Sequence, residues 1–240
     1  MMIAARNAFL MSGGSSTPTA RDYVQDGLIH LYDGLENAGY GAHDSATATW
    51  HDLTGGLDLA CTNVSWGADH ASFSGNGYAI NNSQWVIADG KTLECCYLTS
   101  LKGFFDIVNI SVSGNRTAGY FRLAVRMTNN NNVPLVLFAN GRDYSSYPRY
   151  RQGDASTGAT ISVRADKNAL VDALFNVSAM TAYGADFNVD GSKGVCIGGA
   201  NATTRLYTGR VYCVRLYSRK LSTEEIQANY AVDKARFGLP

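Results

Sequence analysis

From Tyr23 onward the chain is a succession of short apolar-rich runs punctuated by Gly, Asn, Asp and Ser, with no long helical period between them. The runs occupy residues 28–32, 57–61, 71–73, 78–80, 92–99, 104–112, 120–127, 133–139, 160–164, 195–197 and 206–217. Several alternate strictly: Ile107, Asn109 and Ser111 oppose Val108, Ile110 and Val112, and Phe121, Leu123 and Val125 oppose Arg122, Ala124 and Arg126. That is the period of a half-buried strand. Parallel sheets need crossover helices, and none intervene, so the pattern predicts an all-β fold, a two-sheet antiparallel β-sandwich. Residues 169–180 (ALVDALFNVSAM) fit either a helical face or a buried strand pair, and their surroundings favour strands.

One helix is signalled, at the C-terminal end. Ser222 and Glu225 have the spacing of a capping box, Ile226, Tyr230, Asp233/Lys234 and Phe237 recur at helical intervals, and Gly238-Leu239-Pro240 stops the run. The expectation is a short C-terminal helix with one apolar face on the sandwich. At the other end, residues 1–11 are apolar but broken by Arg6-Asn7, and they lack the uninterrupted core and small-residue cleavage site of a signal peptide. No later stretch approaches a membrane span. Residues 12–19 (SGGSSTPT) have a linker composition. The expected organisation is therefore an N-terminal tail and linker over 1–22 and a single domain over 23–240. The tail reads either as a docking or oligomerising segment or as a disordered terminus.

The cysteines Cys61, Cys95, Cys96, Cys196 and Cys213 show no C-x-x-C or Cys/His cluster and read as reduced structural thiols. Cys95 and Cys96, adjacent on a strand, would point to opposite faces.

Residues 209–226 (GRVYCVRLYSRKLSTEEI) resemble the last strand and following helix of concanavalin A-like jelly-roll domains of the laminin-G-like type. Residues 26–34 (DGLIHLYDG) and Trp50-His51-Asp52-Leu53-Thr54-Gly55 are similar to the opening strand and the Trp-x-Asp-Leu-x-Gly loop of those domains, and residues 71–78 (ASFSGNGY) to their Phe-x-Gly segment. The resemblance covers roughly residues 24 to 237. It implies two curved sheets and membership of a superfamily that mostly binds glycans or proteins, with some glycoside hydrolases. The Met-Ile-Ala-Ala-Arg-Asn start resembles proteins of gut bacteria and their bacteriophages, which implies a phage virion or bacterial cell surface as the location.

Retaining glycoside hydrolysis needs two carboxylates about 5 Å apart, ordinarily a Glu-x-Asp-x-x-Glu run on such a fold. Glu36, Glu94, Glu224 and Glu225 form no such run. There is no Gly-x-Ser-x-Gly elbow, and His30, His43, His51 and His70 lack metal-ligand spacing. His30 and His51 read as structural, and no residue is assigned a catalytic role. The expectation is a non-enzymatic recognition module for carbohydrate. A structural or protein-binding module stays open, as does a glycan-processing enzyme whose carboxylates converge only in three dimensions.

Charge sharpens this reading. With 20 Lys+Arg against 20 Asp+Glu the net charge is zero, which excludes a dedicated nucleic-acid binder. The sum hides unlike parts: plus two before Asp22, minus nine from Asp22 to Gly90, and plus seven from Lys91 onward. No Lys or Arg lies between Arg21 and Lys91. The acidic segment must find cations, from basic residues elsewhere or from Ca2+ on its Gly/Asn-rich loops, with Asp33, Asp44 and Asp52 as the expected ligands. No cofactor is required.

The basic stretch from Arg116 to Arg164 contains Arg142-Asp143-Tyr144-Ser145-Ser146-Tyr147-Pro148-Arg149-Tyr150-Arg151. Tyr faces can stack on sugar rings while Arg and Asn bond hydroxyls. The candidate glycan contacts are therefore Tyr144, Tyr147, Tyr150, Arg142, Arg149 and Arg151, with Asn130 and Asn131 close in sequence. The alternative is that these tyrosines pack beneath their own loop. The expected partner is a glycan or cell-surface protein.

Overall fold

We describe the protein from a computed structural model, whose described residues are 17–82, 91–99, 104–110, 120–126, 134–139, 149–151, 158–166, 169–179, 181–183, 195–199 and 206–240. A 3-10 turn, Ala20–Asp22, precedes strands β1 (Leu28–Asp33), β2 (Thr49–Trp50), β3 (Leu59–Thr62), β4 (Ser65–Trp66), β5 (Ala71–Ser74) and β6 (Tyr78–Asn81). Then come β7 (Lys91–Leu98), β8 (Phe104–Ile110), β9 (Tyr120–Arg126), β10 (Pro134–Ala139), β11 (Arg149–Arg151) and β12 (Ala159–Asp166). The chain closes with β13 (Ala169–Phe175), β14 (Ser178–Ala179), β15 (Thr181–Tyr183), β16 (Val195–Ile197), β17 (Thr208–Tyr217) and helix α1 (Thr223–Phe237). Of the ambiguous stretch 169–180, the described residues 169–179 form a strand pair.

Two antiparallel sheets form the sandwich. One runs β14-β13-β12-β7-β17-β5-β4, with β1 beside β5 on the same flank of β17; the other runs β15-β11-β10-β9-β8-β16-β6-β3-β2. Leu93, Cys95, Tyr97, Val214 and Leu216 from the first sheet meet Trp50, Leu59, Ala79, Ile107 and Val195 from the second in one buried cluster. Trp50 is fully buried, with Tyr32 and Trp66 edge-on to it at 6.0 and 5.2 Å.

Strand pleat decides what the first sheet shows on its other face. On β7 the odd residues Leu93, Cys95 and Tyr97 point between the sheets, so Glu94 and Cys96 point away. A bulge at Tyr212 resets the phase of β17, after which Val214 and Leu216 face inward while Cys213, Arg215 and Tyr217 face α1. Cys95 and Cys96 thus lie on opposite faces, Cys95 buried between the sheets and Cys96 beneath α1 and the segment from Ala20 to Tyr23. The cysteines are thiols, and burial pushes Cys61 up to about 12. Strict alternation fails on β8: a bulge between Asp106 and Val108 leaves Ile107 and Val108 buried in the same cluster.

The helix is built as its sequence predicts at both ends. Ser222 accepts from the Glu225 amide while the Glu225 carboxylate accepts from the Ser222 amide, and Gly238 takes the left-handed conformation at φ 65 that favours glycine. The face it buries corrects the expectation of an apolar one, because Asn229, Asp233 and Arg236 are buried beside Ile226 and Phe237. These polar groups meet the outward-facing polar residues of the sheet. Arg215 donates to both carboxylate oxygens of Asp233, at 2.6 and 2.7 Å, and to Glu94 at 3.0 Å. Asp233 also accepts from Tyr23 and Thr160, and Glu94 from Ser162 and Asn229. Arg236 donates to Asp33 and Glu36. Removing one partner of such a desolvated pair typically costs about 3–5 kcal/mol.

Ala20 is fully buried and its amide donates to Glu36, so this residue packs against the sandwich. Residues 1–16 lie outside the described residues. Among the described residues no helix is long and apolar enough to cross a membrane.

Candidate functional site

An open cleft of about 540 Å3 lies beside the loop 51–58 that joins β2 to β3, lined by residues of that loop, by Ala38–Tyr40 and by Asn81 at the end of β6. One buried carboxylate holds the loop. Asp52 Oδ1 accepts from the Leu31 amide, the Thr54 amide and the Thr54 hydroxyl, and Oδ2 from the Leu57 amide, with His30 Nδ1 at 2.6 Å. These bonds tie both halves of the loop to β1, and Leu53 N to Leu31 O adds a backbone link. Burial pushes the Asp52 carboxyl up, but the bonds from His30, Leu31 and Thr54 outweigh it and hold it below the usual carboxylate range. Gly56 is needed here, since a Cβ would come within 2.9 Å of Asp52 Oδ2 and 3.1 Å of the His30 ring.

Asp58 and His51 present polar groups to the cleft. Asp58 Oδ1 accepts from the Asp52 amide at 2.9 Å, and Oδ2 lies 2.9 Å from His51 Nδ1. Both side chains are about half exposed, 49 % for Asp58 and 42 % for His51. Asn81 Nδ2 donates to the Asp58 carbonyl at 2.7 Å, which fixes β6 to the end of the loop.

Tyr40 also lines the cleft. Its turn is held by Glu36, whose Oε2 accepts from the Gly41 amide and whose Oε1 accepts from Arg236. The last turn of α1 therefore supports the cleft wall through one carboxylate. The Arg21 guanidinium lies over the Tyr40 ring, 3.9 Å from its centre. The residues lining the cleft include an aromatic ring, a half-exposed carboxylate and an imidazole, with the glycines of the Gly55-Gly56 turn beside them. Such a set can stack on an apolar sugar face and bond hydroxyls.

The sequence-derived candidates fall differently. Asp33, Asp44 and Asp52 are not brought together as a metal site. Asp33 is fully buried and bonds Arg236, with burial raising its carboxyl against the pull of that guanidinium; Asp44 caps an exposed turn, accepting from the Ala46 amide; Asp52 is the hub just described. Among the described residues no group of three or more His, Cys, Asp and Glu could hold a metal ion. Arginines of the C-terminal part pair with the acidic segment, Arg236 with Asp33 and Glu36 and Arg219 with Asp26, while ring nitrogens of His30, His51 and His70 lie within hydrogen-bond distance of Asp52, Asp58 and Asp69. Tyr144, Tyr147, Arg142, Asn130 and Asn131 lie outside the described residues. Arg149, Tyr150 and Arg151 form β11, paired with β10 and β15, and their side chains are outside the described ones. Tyr40, Asp58 and Asn81 were not singled out from sequence; the pointer available was the absence of Lys and Arg around the Gly-Gly turn at 55–56.

The two antiparallel sheets and the C-terminal helix make a β-sandwich fold. In that fold the chain is similar to Trypanosoma rangeli sialidase in complex with the inhibitor DANA, with a TM-score of 0.56 and 15 % identity over 90 % of this chain and 34 % of that one. It is also similar to the receptor binding domain of botulinum neurotoxin C/D mosaic serotype, with a TM-score of 0.59 and 14 % identity over 87 % of this chain and 52 % of that one. The binding domain of botulinum neurotoxin serotype D gives a TM-score of 0.58 and 15 % identity over 86 % of this chain and 52 % of that one. The chain thus spans about a third of the sialidase and about half of the toxin domains. No family model and no curated protein matches the sequence.

Proposed function

We propose that the protein is a non-enzymatic carbohydrate-recognition module whose sugar site is the cleft between Tyr40 and the loop 51–58. The observation that carries this reading is the cleft itself: an aromatic ring and a half-exposed Asp58–His51 pair line one open space, on a fold shared with a sialidase and with receptor-binding domains. A binding rather than hydrolytic role is supported by the state of the carboxylates. Hydrolysis by the usual route needs one carboxyl able to give up a proton and a second to act as nucleophile or base. Asp52 is saturated with donors and held ionised, which leaves Asp58 as the carboxylate in the cleft with lone pairs to offer. No cofactor is part of the proposal, and the proposed partner is a surface glycan or glycoprotein. A phage virion or bacterial cell surface as its location is carried by the N-terminal resemblance alone.

A glycan array followed by calorimetry tests the reading. Tyr40→Ala and Asp58→Ala are expected to abolish array binding while keeping the cooperative thermal transition. A triple Ala variant at Tyr144, Tyr147 and Tyr150 is expected to keep it. Loss in the triple variant with retention in the cleft variants would move the site to the 142–151 stretch.

A further inference from the structure

We infer that Arg21 is a positioning residue of the cleft, holding the Tyr40 ring from one side so that a sugar meets a ring already set; this rests on the sugar-site reading above. The turn that carries Tyr40 gives its ring little hold of its own. Gly39 and Gly41 flank it, and among the described residues no atom lies within 4 Å of where a Cβ would sit at either. The Tyr40 hydroxyl has no hydrogen-bond partner among the described residues. What lies against the ring is apolar packing and one cation: Tyr40 packs against the cluster that includes Ala20 and Leu53, and Arg21 Cζ stands 3.9 Å over the ring centre.

The backbone places the guanidinium there. Arg21 sits in the capped 3-10 turn Ala20–Asp22, where its amide donates to Thr19 Oγ1 at 3.3 Å and the Asp22 amide to Thr19 O at 3.1 Å. One buried carboxylate then ties this turn to the one that carries Tyr40: Glu36 Oε1 accepts from the Ala20 amide and Oε2 from the Gly41 amide, each at 2.8 Å. The residue before Arg21 and the residue after Tyr40 thus share a carboxylate, which sets the cation and the ring at a fixed separation. The Arg21 guanidinium has no hydrogen-bond acceptor among the described residues, so the ring is what it rests on. A cation over a ring face is drawn to the ring quadrupole, and at 3.9 Å it leaves no room for a sugar on that face. The sugar uses the ring surface that Arg21 leaves open, and it binds without first having to immobilise Tyr40.

The test uses the full chain and has two readouts. Without glycan, the side-chain protons of Arg21 are expected to be shifted upfield by the ring current of Tyr40 in carbon–proton NMR spectra, and to return to ordinary values in Tyr40→Leu. Arg21 signals at ordinary values in the unaltered protein would overturn the proposal. With the strongest-binding member of the glycan array as probe, Arg21→Ala is expected to weaken binding by about 2- to 5-fold, the equilibrium equivalent of an exposed cation–π contact, at an unchanged thermal transition. In the Tyr40→Leu background, followed by amide shifts at millimolar amounts of the same glycan, Arg21→Ala is expected to cost nothing further. An equal further loss there would make Arg21 a direct sugar contact and overturn the positioning role while leaving the sugar site standing. Unaltered affinity in Tyr40→Leu would remove the sugar site at this ring, and binding to no glycan at all would remove both.

Discussion

Asp52 carries more of the local architecture than its size suggests, because its two oxygens accept from two strand-β1 residues and from both ends of the loop 51–58. Replacing it with Ala strands several buried donors at about 1–3 kcal/mol each. Asp52→Ala is expected to lower unfolding stability by ~3 kcal/mol or more, read as a shift in the urea midpoint at unchanged slope. A loss under ~1 kcal/mol would show that water replaces the carboxylate. The pH dependence of the buried carboxyls divides by sign. Asp52 sits below its unfolded value of about 3.9, so its contribution is fully present above that pH and fades as pH falls through the folded value. Glu94 behaves in the opposite sense: burial raises it against the attraction of Arg215, so the folded state holds its proton more tightly. Its ionisation costs stability as pH rises from its unfolded value of about 4.3 through the raised folded one. Glu94→Gln is expected to remove that part of the profile, flattening melting temperature against pH on the acid side; an unchanged profile would assign the dependence to Asp33 instead. The Trp-x-Asp loop was visible in the sequence, but ligand and hub look alike there. Which amides converge on the carboxylate depends on how the Gly55-Gly56 turn folds back.

Elements were most legible where chemistry is local. The capping box at Ser222 and the glycine stop at Gly238 need only neighbours in sequence, and both are present. What α1 buries was not legible, because a polar helix face becomes a buried one only when the opposing sheet presents matching groups. β7, β12 and β17 do so through Glu94, Thr160, Ser162 and Arg215. Strand identity survived in the short runs for a similar local reason, whereas the bulges at Tyr212 and in β8 depend on the register of the partner strand. The β13–β14 hairpin contains a testable strain. Asn176 and Val177 both have positive φ, 45 and 61, as a two-residue turn between right-twisted strands requires, yet a β-branched residue is ill suited to that region. Asn176 has a reason to be there, since its amide side chain accepts from the Thr160 N–H. Val177→Gly is expected to raise stability by roughly 1 kcal/mol. A destabilisation of similar size would mean that the packing of Val177 against the cluster of Leu174, Tyr217, Leu221 and Ile226 outweighs the strain.

At the scale of the molecule, the neutral net charge is the sum of an acidic first third and a basic remainder that meet in the fold. They meet at the outer face of the first sheet, where Arg236 of α1 reaches Asp33 and Glu36, while Arg215 of β17 pairs with Glu94 and Asp233 of the basic part itself. The sandwich was readable because strand rhythm and turn residues repeat along the whole chain. The cleft was not, because its walls come from 38–40, 51–58 and Asn81, segments that only the pairing of β2, β3 and β6 and the docking of the loop on β1 bring together. The claim that joins fold to function is that a sugar sits between those walls. Titrating the 15N-labelled full chain with the glycan that binds most strongly on the array, and following backbone amide shifts, tests it directly. The expected result is shifts concentrated in residues 38–40, in the loop 51–58 and at Asn81. Shifts confined to residues 142–151 or to any other surface, with those amides unmoved, would contradict it.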